Sequence, residues 1–172
     1  MALILRPLRP GDEEAAVRWG ADDEFCLATG WSLNLPPQRL REHWLGLLTT
    51  PDLTFVRLGV EQGGLLVGFV DLAGLNPQSA EFGIAIGERS LWGQGMGLAA
   101  GRLLLGFAFT ELGLRQVRAE VHLTNARSHA LMRRLGFVAV GQGNSEEYRG
   151  EVVPLIRYVV NRDDFETPLM SD

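Results

Sequence analysis

Apolar residues recur along the chain at two spacings, one typical of helices and one typical of strands. The helical spacing is clearest between 97 and 112, where one face of a predicted helix carries Ala100, Leu104, Phe107, Ala108 and Leu112. Strict alternation of apolar and polar residues from 117 to 123 predicts a strand. Because segments of both kinds alternate in one chain, the pattern predicts an α/β (α+β) domain.

The same patterns divide the chain into about seven strands and about four helices. Strands are predicted over 3–8, 53–60, 65–72, 80–86, 115–123, 137–140 and 152–160. Helices are predicted over 12–20, 36–48, 97–112 and 125–135. Residues 21–35 are predicted to be irregular, and the tail after about 165 to be loose. No repeat or linker interrupts the chain, so residues 1–172 form a single predicted domain.

The most informative stretch is the glycine-rich segment 92–99, Trp-Gly-Gln-Gly-Met-Gly-Leu-Ala, which precedes the longest predicted helix. Gly93, Gly95 and Gly97 remove every Cβ on one side, so a ligand can lie against the backbone. The free amides of the first helical turn would then favour an anion such as a pyrophosphate. A tight turn followed by a helix start, with no ligand, explains an isolated pattern of this kind equally well.

A second ligand class fits the same glycines. Gly95, Gly97 and Ala100 satisfy the GxGxxG/A pattern of dinucleotide-binding loops, with Glu120 as the residue that would bind the ribose. The loop, however, follows about four predicted strands, and no further βαβ unit comes after Leu135. The order of the elements therefore makes a dinucleotide-dependent oxidoreductase the weaker alternative.

A second motif lies beyond the next predicted strand. Residues 125–128 read Asn-Ala-Arg-Ser, and residues 134–137 read Arg-Leu-Gly-Phe. A glycine loop that opens a long helix, then a strand, then N-x-x-S and L-G-F resembles the GNAT family of acetyl-CoA-dependent N-acetyltransferases. The order of elements along nearly the whole chain is similar to that family. The opening Leu5-Arg6-Pro7-Leu8, together with Trp92, resembles the RimJ/RimL-like branch of the family.

The resemblance implies a mixed, mostly antiparallel sheet whose fourth and fifth strands, here 80–86 and 115–123, splay apart. It implies that the pantetheine arm of acetyl-CoA lies in the gap and bonds backbone groups of Ile84, Ala85 and Ile86. Asn125 and Ser128 carry over as further cofactor contacts. The pyrophosphate would be held by the loop residues Trp92, Gly93, Gln94, Gly95, Met96, Gly97, Leu98 and Ala99. The first of these stands where the family usually has Arg or Gln.

Acetyl transfer to a primary amine needs a base, because such an amine has a pKa near ~10.4 and is protonated at neutral pH. Glu81 resembles the catalytic glutamate of several family members and is the predicted base; a solvated strand-edge glutamate explains it equally well. Glu120 and Glu146 are poorer candidates. Many family members have a tyrosine where this chain has Met132, so either Ser128 or solvent is predicted to protonate the departing thiolate. The alternative roles of Ser128 are a simple cofactor contact and a cap of the helix.

The acceptor is less well defined by the sequence. The branch includes enzymes that act on protein N-terminal amines, polyamines and aminoglycosides. Residues 21–35 are predicted to form one wall of the acceptor site, and Asp22, Asp23 and Glu24 either attract an ammonium group or are simply solvated. A catalytically silent acyl-CoA-binding domain is the non-enzymatic alternative, and a homodimer is left open.

Composition and charge mainly exclude certain classes of function and site. The 172 residues carry a formal net charge of −5 and a pI of about 5.2, which argues against binding to nucleic acid. The single cysteine, Cys26, excludes an intrachain disulfide, and the three histidines lack the spacing of a metal site, so no metal is predicted. No targeting or membrane segment is recognised, which predicts a cytoplasmic protein.

Overall fold

The computed structural model describes residues 2–165, and its centre is a seven-stranded sheet with the order β1-β2-β3-β4-β5-β7-β6. Every neighbouring pair of strands is antiparallel except β4 and β5, which are parallel. The prediction of a mixed, mostly antiparallel sheet is therefore confirmed. The strands are β1 (Leu3–Pro7), β2 (Val56–Gln62), β3 (Leu65–Ala73), β4 (Ser79–Ile86), β5 (Gln116–His122), β6 (Val138–Tyr148) and β7 (Glu151–Asn161).

Helices cover both faces of this sheet. Within residues 2–165 there are five α-helices, which are α1 (Glu13–Gly20), α2 (Asp23–Thr29), α3 (Pro37–Thr49), α4 (Met96–Gly106) and α5 (Ala126–Leu135). The helix predicted to reach residue 112 ends as a π-helical turn over Phe107–Glu111. None of the helices in this part of the chain is long and apolar enough to cross a membrane. The predicted loose tail lies outside the described residues.

Helix α2 occupies the segment that the sequence predicted to be irregular. It begins at Asp22, whose side-chain oxygen accepts hydrogen bonds from the amides of Glu24 and Phe25. It ends at Gly30, which has the left-handed φ of 77° common at helix C-termini. Both cap residues are visible in the sequence, but a helix of seven residues is too short to display an apolar period.

Strand β6 is much longer than the predicted 137–140. It continues to the turn at Arg149 and Gly150 and pairs with β7, with irregular register on both sides of Gln142. Glycines such as Gly141 weaken an isolated strand, so local sequence does not predict this one. The hydrogen bonds to β7 stabilise it instead.

The parallel pair β4 and β5 is joined over only part of its length. The paired register ends at Glu81 and Arg118, whereas the strands run on to Ile86 and His122. The two strands therefore separate toward their C-terminal ends and leave a gap in the sheet. This confirms the predicted splay of the fourth and fifth strands.

Two apolar clusters fix which side chains face the gap from each side of the sheet. Helices α4 and α5 pack on one face, where Phe82 of β4 and Ala119 of β5 are buried. Helices α1 to α3 pack on the other face around Trp19, and Ala85 belongs to that cluster. Because side chains alternate along a strand, Glu120 of β5 lies on the face of α1 to α3.

Candidate active site

A cavity of about 450 Å³ opens where the gap between β4 and β5 meets the start of α4, and we call it the loop cavity. Its lining contains most of the residues predicted to hold a cofactor, namely Ile84, Ala85, Ile86, Trp92, Gly93, Gly95, Met96, Gly97, Leu98, Asn125 and Ser128. Gln94 and Ala99 do not line it. The Gln94 side chain donates to the carbonyl of Ser90 at 2.7 Å, and the Ala99 amide donates to Gly95 within the helix.

The N-terminus of α4 presents free donors to the loop cavity. Gly95 caps the helix with a left-handed φ of 82° and offers no side-chain hydrogen bond. The amides of Met96, Gly97 and Leu98 have no acceptor among residues 2–165. Three free amides at the positive end of a helix fit an anion such as a pyrophosphate.

The backbone of β4 offers a second set of groups at the gap. The Gly87 amide donates to Val67 of β3 at 2.8 Å, and hydrogen-bonding direction alternates along a strand. Ala85 therefore points its backbone groups toward β3, which corrects the expectation that they are free for a cofactor. Ile84 and Ile86 point theirs into the gap, where the indole N–H of Trp92 donates to the Ile86 carbonyl at 2.7 Å.

A second cavity, of about 320 Å³, adjoins the first at the gap between β4 and β5, and we call it the sheet cavity. The two cavities meet along seven shared lining residues, which are Ala28, Thr29, Ile84, Ala85, Asn125, Ser128 and Leu131. The residues that line only the sheet cavity include Trp31, Arg57, Asp71, Glu120, His122 and Met132. Three residues of the sheet cavity, Ala28, Thr29 and Trp31, come from the predicted acceptor wall at 21–35.

Asn125 and Ser128 line both cavities and also form the N-terminal cap of α5. The side-chain oxygen of Asn125 accepts a hydrogen bond from the Ser128 amide at 3.2 Å and so caps α5. The Ser128 hydroxyl makes no hydrogen bond with any other residue of the described chain. It is therefore available to a ligand at the junction of the two cavities.

Glu81 and Glu120 lie close to each other on the sheet face that α1 to α3 cover, but only Glu120 lines a cavity. Glu81 lies at the last paired position of β4 and lines neither cavity. Partial burial, together with the negative charge of Glu120, raises the pKa of Glu81. Glu120 lines the sheet cavity and has no hydrogen-bond or ion-pair partner within residues 2–165.

A histidine and a tyrosine to which the sequence assigned no catalytic role connect the two cavities. The rings of His122 and Tyr148 stack with their centroids 4.4 Å apart, His122 on the sheet cavity and Tyr148 on the loop cavity. The Nε2 atom of His122 lies 3.0 Å from a carboxylate oxygen of Glu146. The length of β6, which brings Tyr148 and Glu146 here, gave no clear signal in the sequence.

The acidic residues of α2 are mostly engaged in ion pairs. Asp22 accepts from Arg89 at 2.6 Å, and Glu24 accepts from Arg149 at 2.7 Å. The second pair connects α2 to the β6–β7 turn beside the loop cavity, and the hydrogen bond from Arg149 lowers the pKa of Glu24. Two of the three carboxylates predicted to attract an ammonium group are therefore already paired with arginines.

Metal ligands do not gather in this region. Among the residues that the structure describes, there is no group of three or more His, Cys, Asp or Glu side chains that could hold a metal ion. Cys26 is buried in α2, and burial raises the pKa of its thiol.

Fold and site together define a class of protein. An antiparallel sheet that opens between two parallel strands, with a glycine-capped helix N-terminus at the gap, differs from the parallel sheet of dinucleotide-binding folds. The chain matches the acetyltransferase (GNAT) domain model over residues 2–138 and belongs to that family. The family resemblance seen in the sequence is therefore confirmed, and the oxidoreductase alternative finds no support.

Two curated proteins are similar to this chain over part of their length. The putative ribosomal N-acetyltransferase YdaF of Bacillus subtilis is 30% identical over 118 residues, which cover 67% of this chain and 64% of YdaF. The uncharacterized protein MJ1062 of Methanocaldococcus jannaschii is 25% identical over 152 residues, which cover 87% of this chain. The match spans less than two thirds of either relative, and only 31% of MJ1062.

Among solved structures, a spermidine N-acetyltransferase from Vibrio cholerae has a similar fold over nearly the whole chain. The two proteins superpose with a TM-score of 0.82 at 25% identity, covering 94% of this chain and 96% of the other. That enzyme was solved in complex with CoA and spermine.

Proposed function

We propose that this protein is an N-acetyltransferase that transfers the acetyl group of acetyl-CoA directly to a primary amine. The observation that carries the proposal is the junction of the two cavities. The loop cavity is lined by three residues with free amides at a helix N-terminus, the sheet cavity is lined by the unpaired carboxylate of Glu120, and Ser128 lines both. This arrangement suits a reaction in which an anionic donor and a cationic acceptor meet where the two cavities join.

The residues of the loop cavity fit acetyl-CoA. The amides of Met96, Gly97 and Leu98 would hold its pyrophosphate, and Ile84 would bond the pantetheine arm through free backbone groups at the gap. When bound, acetyl-CoA supplies an activated acetyl group as a thioester. No metal is needed in this proposal.

The protein's own groups suit the steps of amide formation. We propose Glu120 as the base that accepts a proton from the amine, because it lines the sheet cavity and is unpaired. Glu81, the residue expected from the sequence, is the competing assignment. The Ile84 amide points into the gap and can stabilise negative charge that develops on the acetyl oxygen. The Ser128 hydroxyl can protonate the departing thiolate or simply hold the cofactor.

For the acceptor, we propose a polyamine. The carboxylate of Glu120 would attract an ammonium group, and the structural neighbour from Vibrio cholerae contains spermine. The N-terminal amine of a protein is the second candidate, which the similarity to YdaF favours. Four points stay predictions: an aminoglycoside as the acceptor, membership of the RimJ/RimL-like branch, a homodimeric state and a cytoplasmic location.

An acetyl-transfer assay tests the proposal. Purified protein is incubated with acetyl-CoA and either spermidine, spermine or a peptide with a free N-terminus, and both thiol release and product mass are followed. We expect thiol release with the polyamines and a product heavier by one acetyl group. A peptide product alone would support the second acceptor class.

A binding measurement separates the remaining alternatives. A ligand present at 100 times its dissociation constant stabilises the folded protein by about 2.7 kcal/mol, so acetyl-CoA should raise the unfolding temperature and NAD(P)H should not. Stabilisation by acetyl-CoA without thiol release from any amine would support the silent acyl-CoA-binding alternative. The absence of any acetyl-CoA effect would overturn the proposal.

A further inference from the structure

Arg127 lines the loop cavity and lies over an aromatic ring. Its guanidinium carbon lies 4.9 Å from the centroid of the Trp92 ring, a distance at which a cation and a ring attract each other. Both residues line the loop cavity. The contact joins the first turn of α5 to the residue that precedes the glycines.

The ring that supports Arg127 is itself fixed. The Trp92 indole N–H donates to the Ile86 carbonyl at 2.7 Å, so the ring is anchored to the end of β4 and presents a face to α5. Trp92 is also partly buried against the cluster of α1 to α3. An anchored ring restricts the rotamers of the arginine and reduces the entropy that the side chain loses on binding a ligand.

The charge of Arg127 is not neutralised by the protein. It has no carboxylate partner among residues 2–165, whereas Arg149, on the same cavity, is paired with Glu24 at 2.7 Å. Residues 92–99 contain no lysine or arginine, so the loop supplies amides but no cationic side chain of its own. Arg127 brings that missing charge next to the loop.

We propose that Arg127, held in place by Trp92, binds the pyrophosphate of CoA together with the amides of α4. This inference rests on the proposed function, because it takes CoA as the ligand. A guanidinium group donates charge-assisted hydrogen bonds to phosphate oxygens and matches their geometry. The indole ring acts as a platform and does not touch the phosphate itself.

Calorimetric titration with three ligands tests the contact. CoA and dephospho-CoA both contain the pyrophosphate, only CoA contains the 3′-phosphate, and S-acetylpantetheine lacks all of these groups. We expect Arg127→Ala to weaken CoA and dephospho-CoA about tenfold or more and to leave S-acetylpantetheine unchanged. The matched control is Arg133→Ala, which removes an exposed arginine of α5 that does not line the cavity.

The platform is tested with two variants of the ring. Trp92→Phe keeps an aromatic face and should lower CoA affinity less than Trp92→Ala does. In a protein that already carries Arg127→Ala, the further change Trp92→Ala should lower CoA affinity little more. A loss confined to CoA would place Arg127 on the 3′-phosphate and overturn the inference. Equal losses for all three ligands, or unchanged CoA affinity in folded Arg127→Ala, would overturn it as well.

These outcomes are distinct from a failure of the proposed function. If the unaltered protein binds none of the three ligands, the proposed function and this inference fall together. If it binds CoA and the Arg127 variant binds it equally well, only the inference fails. Circular dichroism of each variant shows whether it is folded, and the exposed position of Arg127 predicts that it is.

Discussion

The side-chain oxygen of Asn125 accepts a hydrogen bond from the Ser128 amide at 3.2 Å, and this bond begins α5 where the loop cavity meets the sheet cavity. A helix cap and a cavity wall are therefore formed by the same two residues. Because the cap uses the amide of Ser128, the hydroxyl is left available to a ligand. The two roles can be separated by substitution.

Replacement of Ser128 by alanine tests what its hydroxyl does. The cap uses the backbone amide, so the variant should fold normally. If the hydroxyl donates a proton to the leaving thiolate, turnover at saturating acetyl-CoA should fall more than cofactor affinity does. If it only holds the cofactor, the Michaelis constant for acetyl-CoA should rise and turnover should stay nearly unchanged. We expect the second result, because no group among residues 2–165 hydrogen-bonds to the hydroxyl and activates it. Steady-state kinetics with acetyl-CoA varied at fixed amine decide.

Replacement of Gly97 by valine tests the cofactor loop. A Cβ at this position would meet only Leu131, at 3.7 Å, which is ordinary contact, so the variant should fold. Its side chain would fill the space in front of the α4 amides, and we expect no measurable binding of acetyl-CoA by calorimetry.

A control glycine lies in the same helix. Gly106 has open space around it, and Gly106→Ala should stabilise the protein by about 0.5–1 kcal/mol while leaving acetyl-CoA affinity unchanged. Undiminished affinity in a folded Gly97→Val protein would contradict the assignment of the loop.

The sequence predicted the sheet, four of the five helices and the glycine loop that begins α4, because each has a local signal. Apolar periods mark the long elements, and glycines mark the start of α4. Helix α2 and the second half of β6 lack such signals, because one is short and the other depends on hydrogen bonds to β7. Pairing across the sheet is not visible in a local pattern.

The side chains around the site were harder to predict than the loop. Arg127 lies inside the quoted motif, but only the fold shows that its guanidinium lies over Trp92. Tyr148 reaches the loop cavity because β6 is long enough to carry it there. Glu81 lies in the expected strand, but it lies before the gap opens, whereas Glu120 lies where the gap has already opened.

The raised pKa of Glu81 predicts how stability depends on pH. Because the folded state binds this proton more tightly than the unfolded state, stability falls as pH rises from the ordinary carboxyl range through the raised pKa of Glu81. Glu81→Gln should therefore be more stable than the parent at pH 7, and the difference should vanish below about pH 4.

Urea denaturation at several pH values measures this difference. Glu147→Gln, at an exposed position of β6, controls for the removal of one negative charge. A Glu81→Gln protein that is less stable than the parent at neutral pH would contradict the prediction.

The identity of the base is tested by comparing two matched substitutions, Glu120→Gln and Glu81→Gln. If Glu120 accepts the proton, its variant should keep acetyl-CoA affinity and lose roughly 10²–10⁴-fold in rate at neutral pH, the usual contribution of a general base. The loss should shrink as pH approaches the amine pKa of ~10.4, because more of the amine is then already neutral.

Glu81→Gln should have a smaller effect, because Glu81 lines neither cavity and acts on Glu120 only through its charge. A large loss for Glu81→Gln with a nearly normal rate for Glu120→Gln would instead identify Glu81 as the base. Single-turnover rates measured across this pH range, with amine in excess, separate the proton-transfer step from product release and so decide between the two carboxylates.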